Sequence, residues 1–387
     1  MTPGARVAAA IEVLDQVRAG QPAEKVLTTW GRQHRFAGSK DRAAIRDHVF
    51  DALRCLRSYG ALGGANTGRG LMIGACVAQG IDPDTLFTGE GHAPSPITSA
   101  DCTAPELKDL PEVVRLDCPD WLAPEMKASL GDDFAPVMEA LRHRAPVFLR
   151  VNLARMTRAE AAEILARDEI ATQPHPLASS ALEVTENPRR IQMSQAFADG
   201  MVELQDAASQ AILTALQLRP GLRVLDYCAG GGGKALALAD AGCTVFAHDI
   251  TPERMRDIPQ RAARAGAEIT LLSSEQLRRV APFDLVLADA PCSGNGAWRR
   301  APQGKWDLTA ARLDELCAIQ AGILDKIIDF VAPDGVLAYA TCSLLTRENE
   351  AQIAAFQNRH PSWTQVANRR LTPLDGGDGF FLSALTR

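Results

Sequence analysis

The sequence has nine cysteines and no Cys-x-x-Cys pair among them. A zinc ribbon needs that spacing, and an odd count does not suit a disulfide framework. No metal is therefore expected, and Cys55, Cys76, Cys243 and Cys317 are expected to be small buried hydrophobes. Long apolar runs are also missing. None approaches the ~18 residues of a membrane span, so no membrane partner is expected. The N-terminal stretch MTPGARVAAAIEVLDQV lacks the apolar core of a signal peptide and reads as an amphipathic segment, which predicts a cytoplasmic protein. No internal repeat is visible. A positive overall charge is absent too: the net charge is −6. Any contact with nucleic acid must come from local basic patches.

Such patches exist. The first 72 residues hold eleven Arg and Lys against six Asp and Glu. Arg142 to Arg158 contains five arginines and no acid. After Cys292 the loop GNGAWRRAPQGKW sets Arg299, Arg300 and Lys305 beside Trp298 and Trp306. Arginine next to aromatic rings suits phosphate contact with base stacking. Arg299, Arg300 and Trp306 are thus candidates to touch RNA, although a loop anchored by its tryptophans would have the same composition.

The hydrophobic pattern divides the chain in three. Residues 1–118 form a helical region whose later part, after Gly60, is rich in Gly and Pro and reads as short helices followed by a linker. Within it Ile45, Val49, Leu53 and Leu56 recur at helical spacing. Residues 119–205 read as a small α+β unit, with strands at 147–152 and 181–186 around a helix at 157–168. Residues 206–387 alternate strand and helix. LRVLDYCA, CTVFAHDI, EITLLS, FDLVLADAP and GVLAYATCS are the strands, and a long helix spans roughly 308–331. The fold class is α/β, with a Rossmann-like, doubly wound parallel sheet at the C-terminus. Ligands of such a sheet sit at the carboxyl ends of its strands.

The chemistry-bearing residues fall at those ends. The first strand ends in Asp226 and runs into Cys228, Ala229, Gly230, Gly231, Gly232, Gly233 and Lys234. Glycines there let the backbone approach a ligand. The second strand delivers Asp249, 23 residues after Asp226, placed to hold ribose hydroxyls. These features fit NAD as well as S-adenosyl-L-methionine, but no G-x-G-x-x-G is present. Two later strands each end in a cysteine, in ADAPCS and YATCS. A thiolate beside a cofactor crevice is a nucleophile. One reaction uses two thiols. Carbon-5 of a pyrimidine becomes nucleophilic once a thiolate adds to carbon-6, and after methylation the adduct must be released. Asp289 can hydrogen-bond the N3 edge of the base.

The stretches LDYCAGGGGK, HDI, LADAPCSGNGAWRRAPQGKW, YATCSLLTRENE and GDGFF resemble the Sun/Fmu family of RNA (cytosine-5) methyltransferases. FADGMVELQDAASQ resembles that family's lead-in to the catalytic sheet. The resemblance implies a class I methyltransferase sheet, S-adenosyl-L-methionine as cofactor, and RNA as substrate, with 16S rRNA first and tRNA second. It implies Cys342 as the nucleophile, Cys292 as the release residue and Asp289 as the base-binding acid. Lys234 is implied near the catalytic groups and Arg254 near the second acidic position. The N-terminal helices resemble the NusB-type RNA-binding domain of such enzymes, and a monomer is expected. Two departures stand out. The family's Ala-Pro-Gly-Gly-Lys-Thr is here Gly230 to Gly233, then Lys234 and Ala235. Its acid after the third strand aligns with Ser274, next to Glu275. Both changes are expected to loosen the cofactor. They leave open an RNA-binding ribosome-assembly factor with a degenerate methyltransferase fold. An NAD-linked oxidoreductase on the same sheet would not explain two cysteines.

Overall fold

The computed structural model describes residues 1–101 and 105–387; the part of the Gly/Pro-rich stretch at 102–104 lies outside them. The chain divides into two compact units. One comprises residues 1–144 with 298–308, and the other residues 145–297 with 309–387.

The first unit is helical. Its main helices are Pro3–Arg18, Ala23–Gln33, Ser39–Arg54, Leu56–Leu62 and Gly68–Ala78. The predicted stripe of Ile45, Val49, Leu53 and Leu56 is buried in one core with Val13, Leu14 and Leu71. Some of the glycines read as breakers are packing residues. A Cβ on Gly63 would lie 1.8 Å from the Gly70 carbonyl oxygen, and one on Gly74 1.9 Å from that of Tyr59. Only glycine permits two helices to meet backbone to backbone at this distance.

The segment 298–308 belongs to this unit for a physical reason. The helix Ser39–Arg54 leaves its last carbonyls without intrahelical donors. Lys305 Nζ donates to the Arg54 carbonyl at 2.8 Å, and Trp306 Nε1 to that of Leu53 at 2.6 Å. Arg54 Nε returns a bond of 2.7 Å to the Arg299 carbonyl. A cation there also meets the negative end of the helix dipole.

The second unit contains two sheets. The smaller has β1 (Val147–Val151), β2 (Thr172–Pro174), β3 (Ala181–Val184) and β4 (Val202–Leu204), in the order β2-β3-β1-β4 and antiparallel throughout. The short strands β2 and β4 lack a readable apolar alternation. The larger has β5 (Arg223–Asp226), β6 (Thr244–Ala247), β7 (Ile269–Leu271), β8 (Phe283–Asp289), β9 (Val331–Thr341), β10 (Thr364–Leu371) and β11 (Phe380–Thr386). Its order is β10-β11-β9-β8-β5-β6-β7. The strands from β5 to β9 are parallel, as expected of a Rossmann-like sheet, while β10 and β11 add an antiparallel edge. Order reverses at β5, whose neighbours are β6 on one side and β8 on the other. Such a switch point opens a crevice at the strands' carboxyl ends. The long helix spans Ala310–Ile327, and β9 begins only four residues later. Among the described residues, no helix is long and apolar enough to cross a membrane.

Candidate active site

The crevice beyond β5 and β8 is a cleft of about 460 Å³. Asp226, Gly230, Lys234, Asp289, Cys292 and Cys342 line it. Parallel pairing explains the two cysteines. β8 and β9 are neighbours in register, with Asp289 opposite Ala340. Their carboxyl ends therefore emerge side by side, and the loops that follow meet. The Ala290 amide donates to the Ala340 carbonyl at 2.8 Å, and the Gly296 amide to that of Cys342 at 3.0 Å. The two sulfurs stand 3.4 Å apart. The hydrogen bond to Cys342, with burial second, holds the Cys292 thiol well above its ordinary pKa. Either sulfur can be the donor of that contact.

The glycine loop turns as its composition suggests. Gly230 and Gly232 lie at φ of +50° and +81°, in the left-handed region. A Cβ on Gly232 would come within 2.7 Å of Ile258. The helix Gly233–Asp240 then carries Lys234 back into the cleft. Lys234 Nζ donates to Asp289 Oδ2 at 2.6 Å and lies over the Phe380 ring. Burial lowers the lysine's pKa, but the carboxylates of Asp289 and Asp226 outweigh it, and the net shift is upward. Asp226 is buried and its oxygens make no hydrogen bond of ordinary geometry among the described residues. Burial, against the pull of Lys234, pushes its pKa up to about 7.

Asp249 is buried at the end of β6 and is fully engaged. Its Oδ2 accepts from the Gly230 amide at 3.0 Å and from Arg254 at 3.1 Å, and its Oδ1 from the Thr251 amide at 2.9 Å. It thus ties the glycine loop to the segment after β6. Ala229 joins the same seam through its amide, 2.9 Å from the His248 carbonyl. Cys228 and Gly231 line the cleft, and burial raises the Cys228 thiol's pKa. Ser274 opens the helix Ser274–Val280 and sits elsewhere than on the cleft lining, 2.9 Å from His248 Nε2. The Nδ1 of that histidine is 2.9 Å from the Tyr227 carbonyl, so Nδ1 carries the proton and the Ser274 hydroxyl donates to Nε2. Burial lowers the His248 pKa, which keeps the ring neutral.

The loop after Cys292 is placed differently from the cysteines. Arg299 is 5% exposed, Lys305 1% and Trp298 1%. With Trp306 they are built into the first unit, while Arg300 is exposed. Packing explains this composition without a ligand. Sequence reading passed over Ser293, Gln320, Ser343, Glu348 and Asn349, a polar group behind the cysteines. The clustered polar letters of TRENE were the available signal.

Residues 213–386 match the family described as 16S rRNA methyltransferase RsmB/F, and residues 118–191 match the ferredoxin-like domain of RsmF/B-like methyltransferases. The chain belongs to the RsmB/F methyltransferase family. This is the family met above under the name Sun/Fmu, so the resemblance drawn from the motifs holds. Ribosomal RNA small subunit methyltransferase B of Yersinia pseudotuberculosis and that of Yersinia pestis are each 33% identical over 291 residues, 70% of this chain. The match spans 66% of the length of these curated relatives. In fold, the chain is similar to PH0851 over 100% of its length and 99% of that chain, with a TM-score of 0.79 at 22% identity. It is also similar to a methyltransferase homolog protein from Pyrococcus horikoshii, over 73% of this chain and 99% of the other, with a TM-score of 0.63 at 24% identity. NSun6 from the same organism, solved with SFG, gives 0.61 at 17% identity, over 69% of this chain and 98% of its own. Among the described residues of this RsmB/F member, no group of three or more His, Cys, Asp and Glu is placed to hold a metal ion.

One expectation about Asp249 follows from its bonds. Asp249→Ala leaves two backbone amides without their acceptor. A loss of about 1–3 kcal/mol of stability is expected, read by urea denaturation, together with weakened cofactor binding. Arg254 is 57% exposed in its side chain, so Arg254→Ala should leave stability unchanged. Equal stability of the Asp249 variant and the parent protein would refute the seam.

Proposed function

We propose that the protein methylates carbon-5 of a cytosine in RNA, with small-subunit rRNA as the substrate and S-adenosyl-L-methionine as the methyl donor. The observation that carries the reading is the pair of sulfurs 3.4 Å apart in one cleft with a buried lysine–aspartate pair.

The residues present suit the cofactor. The left-handed turn at Gly230 and Gly232 lets backbone approach a ligand, and the buried carboxyl of Asp226 lies behind it in the cleft lining. Gly230, Gly231, Asp226, Asp249 and Arg254 would hold it. When bound, S-adenosyl-L-methionine supplies an electrophilic methyl group. The chain's own residues prepare the base to receive it. Cys342 adds its sulfur to carbon-6, which makes carbon-5 nucleophilic. Electron density moves toward N3 as the bond forms, and a proton passed from the Lys234 ammonium through Asp289 to N3 neutralises it there. After methylation Cys292, as thiolate, takes the carbon-5 proton, the carbon-5–carbon-6 double bond re-forms, and the bond from Cys342 to carbon-6 breaks with its electron pair returning to Cys342 as thiolate.

The test is methyl transfer from labelled S-adenosyl-L-methionine to unmodified small-subunit rRNA, followed by bisulfite mapping of the product. Methyl transfer to a protected cytosine is expected. S-adenosyl-L-methionine binding without transfer to any RNA would favour an assembly factor instead. The whole-chain affinity for RNA should fall with added salt as counterions are released. Arg300→Glu should lower that log–log slope by about 1–2. Arg299→Glu should instead unfold the first unit at lower urea, because its side chain is buried. A salt-independent association would overturn the RNA reading.

A further inference from the structure

Behind the two cysteines lies a buried carboxylate that the chemistry above does not use. Glu348 is wholly buried. Its Oε1 accepts from the Ser293 amide at 2.8 Å and from Gln320 Nε2 at 3.0 Å. Its Oε2 accepts from the hydroxyls of Ser293 and Ser343. Ser293 directly follows Cys292, and Ser343 directly follows Cys342. Gln320 also donates to the carbonyl of Pro291, the residue before Cys292, at 2.9 Å. The Glu348 carbonyl accepts from the Tyr339 hydroxyl at 2.7 Å, which anchors it to β9. One carboxylate therefore holds both cysteine loops, each at the residue next to its sulfur.

A buried carboxylate is costly unless its oxygens are hydrogen-bonded, and apolar packing would be the cheaper way to fill this space. Four donors converge on the two oxygens of Glu348. The arrangement fixes a relation between two loops that belong to different strands. We propose that Glu348 is the positioning residue that clamps the Pro-Cys and Thr-Cys loops together and keeps Cys292 close enough to Cys342 to act in release. This rests on the cytosine-5 methyltransferase reading. The carboxylate also adds to the upward shift of the Cys292 pKa, behind Cys342 and burial.

The test uses the full chain with Glu348→Ala, Glu348→Gln and the double variant Ser293→Ala/Ser343→Ala, which removes both hydroxyl arms and keeps the acid. Glutamine can still accept from the amide and donate to the hydroxyls, so it should retain kcat within about tenfold. Glu348→Ala and the double variant should lose at least about tenfold in kcat, with KM for rRNA within about threefold, the signature of a lost positioning interaction. Both should accumulate a denaturant-stable protein–RNA complex that depends on S-adenosyl-L-methionine, as is expected of Cys292→Ala. Where Cys292→Ala traps RNA, lowered stability of the Glu348 and Ser293/Ser343 variants without any trapped complex overturns the clamp. If Glu348→Ala does not fold, the double variant decides by the same readouts. A second measurement needs no turnover: alkylation of Cys292 by iodoacetamide, followed by mass spectrometry, should speed up at least about fivefold when the clamp is cut. Unchanged alkylation overturns the inference. Faster alkylation with no trapping by Cys292→Ala leaves the clamp standing and overturns the release role instead.

Discussion

Cys342→Ala is expected to yield no methylated RNA and no covalent complex, while Cys292→Ala is expected to trap RNA. The asymmetry follows from when each sulfur acts. Cys342 makes the first bond, to carbon-6, so without it neither adduct nor product forms. Cys292 acts after the methyl group has moved, so its loss leaves attack and methylation intact and stops release. A protein–RNA complex stable to denaturant should then build up, and only with S-adenosyl-L-methionine present. The sulfurs are 3.4 Å apart, so both can reach the same base. Gel electrophoresis with labelled RNA distinguishes the outcomes. Trapping by the Cys342 variant alone would reverse the roles. Normal turnover by both variants would remove the covalent mechanism.

Asp289→Asn is expected to cut kcat by about a hundredfold or more, the order seen when one group that stabilises developing charge is lost. Cofactor affinity should change by no more than a few-fold. The same substitution strands the buried Lys234 ammonium without its partner. Breaking a fully buried pair costs about 3–5 kcal/mol. Asp289 keeps 32% of its side chain exposed, so water should soften the loss below that range. Lys234→Met should likewise abolish most turnover. Combining the two removes both charges, so the double variant should lose less stability than the sum of the singles, by about 0.5–3 kcal/mol. Its activity should not return. Additive stability losses with kcat intact would show that the pair has no part in the chemistry.

Much of the site was legible because parallel α/β sheets place function at strand ends. Asp226, Asp249, Asp289, Cys292 and Cys342 each follow an apolar run, and a run of that kind is readable without coordinates. The loop after Cys292 was not. Arg299, Lys305 and Trp306 have the composition of an RNA contact, yet a distant helix end needed donors and took two of them. Composition cannot tell a cation that meets phosphate from one that meets carbonyls. Ser274 had a similar fate. The resemblance put it in place of the family's acid after the third strand, and in the fold its hydroxyl serves His248.

The sequence by itself determined the α/β class, the glycine turn, the acids at the strand ends and the presence of two thiols, because these depend on local pattern and residue chemistry. Only the tertiary structure decided that β8 and β9 are parallel neighbours, and so that residues 50 apart in the chain bring their sulfurs to 3.4 Å. It alone placed one glutamate between both loops. Strand order and buried hydrogen bonds arise from contacts between distant segments, which no local pattern records.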